Sequence, residues 1–233
     1  MIRWSRRALG RALRRCAVLS AAAVIGGASL GVLLPSTAQA AGCAPRTGPA
    51  QRQVEKYLGL PVDGTASAAD CLAVQRFQRR MDIRPAAGYA GPLTSKIVSR
   101  LSKASLGSCG YSAGIRVCVD LTHQVFWITR SGQRIHGPAP IRTGRKGLTT
   151  PAGTFKIQDR KISTVSTIFK VRLPYWQRFY RDMGFHQTTT YLHDSGSPGS
   201  HGCINLLPAD ARVLWKYTKT GTPVKIFGRK PGT

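Results

Sequence analysis

The spacing of apolar residues changes once along this chain, and the change falls in a Ser/Gly-rich stretch, "SKASLGSCGYSAG", residues 102–114. Before it, apolar residues recur every three or four positions. In "AADCLAVQRFQRRM", Cys71, Val74, Phe77, Gln78 and Met81 fall on one helical face with basic residues opposite. "AQRQVEKYLG" ends in a glycine stop, and "LTSKIVSRL" turns Ile97, Val98 and Leu101 inward. "PVDGTAS" and "IRPAAGYAGP" supply the turns between these helices. After the stretch the period drops to two. "IRVCVDL" puts Val117, Val119 and Leu121 on one face, "THQ" turns the chain, and "VFWIT" returns it. "RIHGPAPIRTG", "PAGTFKIQD", "TIFKVRL", "MGFHQTTTYL" and "TPVKIFG" read as further strands. One helix is expected at "LPADARVLWKYTKTG", with Pro208 at its start and Gly221 past its end. The expectation is a small three-helix unit over 41–104, a linker over 105–114, and a mostly-β domain with one C-terminal helix over 115–229.

The N-terminus restricts where such a chain works. "MIRWSRRALGRALRR" is a basic region, "AVLSAAAVIGGASLGVLL" an apolar run of 18 residues, and "PSTAQA" an A-x-A cleavage site ending at Ala40. This pattern reads as a secretory signal peptide over 1–40, and its Ala/Gly content favours cleavage over a membrane anchor. Export permits disulfides. It also argues against nucleic acid as the partner of a chain with 35 Lys+Arg against 9 Asp+Glu. Without the six arginines of the leader the balance is still about +20 (29 minus 9). An anionic wall polymer fits that charge in an exported protein.

Six cysteines are present, and Cys16 lies in the leader. Five is an odd number. Cys43 and Cys71 bracket a helical segment, and Cys109 and Cys118 flank "GYSAGIRV". Local pairing of each set leaves Cys203 over, in "SPGSHGCIN". A lipobox-like "AAGC" offers Cys43 a different fate, with Ala40 where Leu is preferred. For Cys203 three readings stand: nucleophile, zinc ligand, or partner of another cysteine. His201–x–Cys203 is tighter than common zinc spacings, and no second cysteine or carboxylate cluster accompanies it. A nucleophilic thiol needs a base, a cation or dipoles beside it. His201 is adjacent, and His186 and His193 lie upstream. The residues alone leave the base open. His123 and His136 fall in strand and turn contexts and read as surface or structural residues. No metal or organic cofactor is expected, and a monomer is the default.

Two resemblances organise these pieces. "VDG", "AVQRFQ" and "GYAGPLTSKIVSRL" make the first sixty mature residues similar to the peptidoglycan-binding type 1 module, which implies a wall ligand. A departure is "PAAGYAG" at the second turn, where that family usually carries Asp-Gly. "VDLTHQVFWIT", "IRTGRKGLTTPAGTFKI", "LPYWQRFYRDMGFH", "GSHGCINLLPADARVLW" and "GTPVKIFG" run in the order of the L,D-transpeptidase catalytic domain, which the region resembles over nearly its whole length. That resemblance implies a β-sandwich-like fold with one C-terminal helix. It implies Cys203 as nucleophile and His186 as general base, with the Gln187 carbonyl orienting the ring. It gives Ser200, His201 and Gly202 to the motif that shapes the oxyanion side, and Asn205 to a position often held by Arg. Thirteen residues separate His186 from Ser200, slightly fewer than usual in the family, whereas His193 would leave six. The substrates implied are peptidoglycan stem peptides, joined into 3–3 crosslinks through a thioester. The alternatives are trimming of the stem by water, or a wall-binding protein that does no chemistry.

Overall fold

The computed structural model describes residues 43–233. The leader expected over 1–40, with Cys16, lies outside the described residues. Three helices come first: α1 Gln51–Leu58, α2 Ala68–Arg80 and α3 Pro92–Ser102. Local sequence sets their ends. Ser67 caps α2 by accepting the Asp70 N–H, while Asp70 accepts the Ser67 N–H in return. Gly91 and Pro92 open α3. The α2 face expected to be buried is buried: Cys71, Val74, Phe77, Gln78 and Met81 are all under a tenth exposed. Gln78 fastens the second turn. Its Nε2 donates to Tyr89 O and Thr94 Oγ1, and its Oε1 accepts the Gly88 N–H. A disulfide joins Cys43 to Cys71.

Nine strands follow: β1 Ile115–Asp120, β2 Val125–Arg130, β3 Gln133–Arg142, β4 Gly153–Lys156, β5 Asp159–Val165, β6 Arg172–Tyr180, β7 Met183–Gln187, β8 Ile204–Leu206 and β9 Pro223–Phe227. They form one sheet in the order β4-β9-β1-β2-β3-β8-β7-β6-β5. Long β3 joins the two halves, pairing with β2 along most of its length and with β8 at Ile141 and Arg142. The sheet curls until its ends meet. Phe155 of β4 packs on Phe179 and Tyr180 of β6, at 5.6 and 5.3 Å between ring centres. Helix α4, Pro208–Tyr217, lies over β6 and β7 and buries Ala211 and Leu214. The mostly-β fold with one C-terminal helix is therefore present.

Three local expectations change. "TIFKVRL" is strand only at its end, where Arg172 and Leu173 begin β6. Thr167–Val171 is the connection between β5 and β6, and Ile168 is 73 % exposed. Strands β1 and β2 are buried on both faces rather than one. Val117, Val119, Phe126 and Ile128 enter the core under the curl. Cys118, Val125 and Trp127 enter a second core with Val54, Val74, Phe77, Ile97 and Leu101 of the helices. The stretch expected as a linker packs there too. Residues Leu106–Cys109 form a short 3-10 turn, Cys109 is buried, and it is disulfide-bonded to Cys118. A further tie crosses the same junction: Arg80 of α2 donates to both carboxylate oxygens of fully buried Asp210 on α4, which also bonds His136 Nε2 at 2.9 Å.

Candidate active site

Strands β7 and β8 run parallel, and their register sets Phe185 beside Ile204 and His186 beside Asn205. Side chains two apart on a strand share a face. Cys203, two before Asn205 at the mouth of β8, is therefore brought to the strand that carries His186. It is the free cysteine among the described residues. Its sulfur lies 3.9 Å from the Asp182 carbonyl. Burial pushes the thiol above its usual range. The Gly184 N–H, directed at the sulfur, opposes this, and the Asp182 carboxylate adds to it. The group at rest is a thiol.

His186 is buried. Its Nδ1 sits 2.7 Å from Gln187 O. A carbonyl can only accept, so Nδ1 carries the proton and Nε2 keeps its lone pair. Burial lowers the imidazole to about 4; the Gln187 bond partly opposes this and Arg142 reinforces it. The ring is thus neutral near pH 7. Trp176 of β6 packs beside it, 6.2 Å between ring centres. That approach depends on Gly184, where a Cβ would lie 2.8 Å from the Trp176 ring and 2.9 Å from Gln177 O.

The turn before Cys203 is held by its own backbone. Ser200 Oγ donates to Cys203 O at 2.6 Å and accepts the Gly202 N–H at 3.1 Å. The Gly202 amide is thereby committed within the turn. Gly202 has φ +110°, a region open to glycine, and a Cβ there would meet the Met183 side chain at 2.7 Å. Thr150 Oγ1 donates to Gly202 O at 2.8 Å, and Ser200 exchanges backbone bonds with Thr143 and Arg145. His201 projects outward and stacks on Phe169 from the β5–β6 connection, 4.2 Å between ring centres. Its pKa is lowered, by loss of hydration first and then by Arg145. Asn205 is buried, and its Oδ1 has no protein partner.

The other histidines sit elsewhere. His193 Nε2 donates to Met81 O at 2.6 Å, at the end of α2. His123 pairs with Asp120 at 2.7 Å. Tyr175 packs toward Trp215, and Tyr191 accepts the Arg84 N–H on the helical side. Among the described residues no group of three His, Cys, Asp or Glu side chains is placed to hold a metal ion. Thr150, Met183, Gly184 and Phe169 were not singled out from sequence. Thr150 lies in the quoted run "IRTGRKGLTTPAGTFKI", but nothing in its spacing points to Gly202, fifty-two residues on.

A free thiol at the mouth of one strand and a buried, oriented imidazole on the parallel strand beside it make a site suited to thiol chemistry. The family model described as the L,D-transpeptidase catalytic domain (YkuD) matches residues 114–226. The crystal structure of an L,D-transpeptidase from Stackebrandtia nassauensis is 42% identical, with a TM-score of 0.78, over 82% of this chain and 96% of that one. An L,D-transpeptidase from Mycobacterium smegmatis is 23% identical over 50% of this chain and 60% of that one, with a TM-score of 0.44. One from Mycobacterium tuberculosis is 21% identical over 49% and 62%, with a TM-score of 0.42. No curated protein matches the sequence. The chain belongs to the L,D-transpeptidase family, whose members act on peptidoglycan stem peptides.

Proposed function

We propose that this protein is an exported transpeptidase that forms 3–3 crosslinks through a thioester on Cys203. The observation that carries the reading is the pairing of a free thiol with a neutral, oriented imidazole on the adjoining strand. The Cys203 sulfur attacks the carbonyl carbon of the third residue of a stem tetrapeptide while its proton passes to His186 Nε2. The C–N bond to the terminal D-alanine breaks, and the imidazolium gives its proton to the departing amine. Burial disfavours a charged ring at this site, so the proton is readily released. The side-chain amine of a second stem then attacks the thioester, His186 takes that proton, and the thiol is restored.

The Cys203 amide is the donor we assign to the oxyanion, since Gly202 N–H is engaged by Ser200. His201 and Phe169 form the outer wall, and Asn205 lies beside the base. The leader-like N-terminus and the two disulfides support export to the wall. We assign the helical segment a wall-binding role from its module-like turns, and anionic wall polymers a role in retaining the basic chain.

The test is intact-mass analysis after incubation with a tetrapeptide stem and a diamino acceptor. The expected result is a mass gain equal to the acyl group on the wild type, crosslinked dimer in solution, and neither with Cys203→Ala. Dimer formed by the Cys203→Ala protein would refute the thioester. Released D-alanine without dimer would make the enzyme a carboxypeptidase.

A further inference from the structure

A cleft of about 310 Å³ lies where α3 meets the catalytic sheet, and neither Cys203 nor His186 lines it. Four cations converge on it: Lys96 and Arg100 from α3, Arg142 from the end of β3, and Lys230 beyond β9. Asp194 is the one carboxylate in its wall. None of the four cations makes a salt bridge within 4.0 Å among the described residues. Their neighbours are carbonyls and hydroxyls instead. Arg100 donates to the carbonyls of His123, Gln124 and Ile141. Arg142 donates to Tyr191 O and Thr190 Oγ1. Lys230 Nζ donates to Thr143 O, Gly144 O and Pro198 O at 3.3, 3.2 and 2.7 Å. Two polar atoms of the wall, Arg142 Nε and His193 Nδ1, are buried with no protein partner.

Bringing like charges together costs free energy unless an opposite charge joins them. Lys230 is lowered by burial first and then by the neighbouring charges of Arg142 and Arg100. Arg100 is brought down to about 10 by burial alone. Counting Lys and Arg against Asp, four cations against one carboxylate leave a surplus of about +3 in the wall. A multiply charged oxyanion matches that surplus better than a single carboxylate does. Guanidinium groups suit phosphate oxygens in particular.

We infer that this cleft is a binding site for a phosphate or phosphodiester group, separate from the thiol and completed by the helical segment. The ligand class is an anionic wall polymer carrying phosphodiesters. The loop that runs from His186 to Ser200 contributes His193, Asp194 and Pro198 to the cleft. An occupant would therefore sit against the segment that links base and nucleophile.

The test is calorimetric titration of the full chain with inorganic phosphate, against chloride at equal ionic strength. Saturable phosphate binding is expected in the wild type and in Cys203→Ala alike. It should be at least tenfold weaker in Lys96→Glu, a solvent-exposed position where the fold tolerates change, and weaker still in Lys96→Glu/Lys230→Gln. Circular dichroism confirms that both variants are folded. A glycerol-phosphate oligomer should displace phosphate, while a stem tetrapeptide should not. Equal affinity in the wild type and Lys96→Glu, or binding that is lost in Cys203→Ala, would overturn the assignment. So would displacement by the stem peptide alone.

Discussion

Strands β1 and β2 and the connection between β5 and β6 are both rich in apolar residues, yet they are treated oppositely. Val117, Cys118, Val119, Phe126, Trp127 and Ile128 are at most 1 % exposed, because helices cover one face and the curled sheet the other. Ile168, Phe169 and Val171 of the connection, with Ile162 and Val165 of the preceding β5, stand out to solvent at 40 % or more, and Phe169 reaches the turn at His201. Apolar content alone therefore says nothing about role. In the first region it holds the foundation on which the site is built. In the second it is exposed surface, of which Phe169 stacks on His201, two residues before the thiol.

Substitutions should separate the two regions. Trp127→Ala empties a site in the core that β2 shares with the helices and should cost about 3–5 kcal/mol in denaturant unfolding. A cost near that of an exposed residue would mean the helices do not brace β2. The next effect is acid sensitivity at His186. Its imidazole titrates near 6.5 when unfolded and at about 4 when folded. The unfolded chain thus binds the extra proton, and stability is full above pH 6.5 and lost as pH falls toward 4, by about 3 kcal/mol from this group. His186→Gln should flatten that part of the stability–pH curve; an unchanged curve would show that the ring is not held neutral by the fold. Arg80→Ala removes a charged partner from buried Asp210 and should cost about 2 kcal/mol, with the catalytic turn unaltered. Phe169→Ala should be smallest in stability, within about 0.5 kcal/mol, yet should slow acylation of Cys203. Equal acylation rates in Phe169→Ala and the wild type would strip the connection of any part in the reaction.

Much of this was readable beforehand, for physical reasons that can be named. The helices announce themselves through local chemistry: the Ser67–Asp70 cap, Pro92 at the start of α3, and the face from Cys71 to Met81. The odd cysteine is arithmetic, and the structure leaves Cys203 free with two local disulfides formed. The Cys43 sulfur is accordingly engaged with Cys71. The histidine on the strand beside Cys203 was reachable through the order of the family motifs rather than through proximity in sequence, which favours His201. What was hidden depends on tertiary contact. Period two in "IRVCVDL" signals one buried face, and only the packed helices reveal the second. In "TIFKVRL" only Arg172 and Leu173 find strand partners, in Val165 and Thr164; the strand-like residues before them turn between β5 and β6. Lys230 and Thr150 act on backbone groups far away in the chain, and no local pattern encodes such a partner.

The shared core between helices and sheet bears on how such a chain can be rearranged. Sequence similarity draws a boundary at residue 114, and a designer might treat everything before it as a detachable cartridge. Val125 and Trp127 would then become a water-facing greasy wall, and Cys118 would lose its partner Cys109. A fragment beginning at 114 should be recovered in aggregates, and grafting the helices onto an unrelated enzyme should fail unless this strand face travels with them. The smallest transplantable unit is the helical segment together with the sheet it rests on.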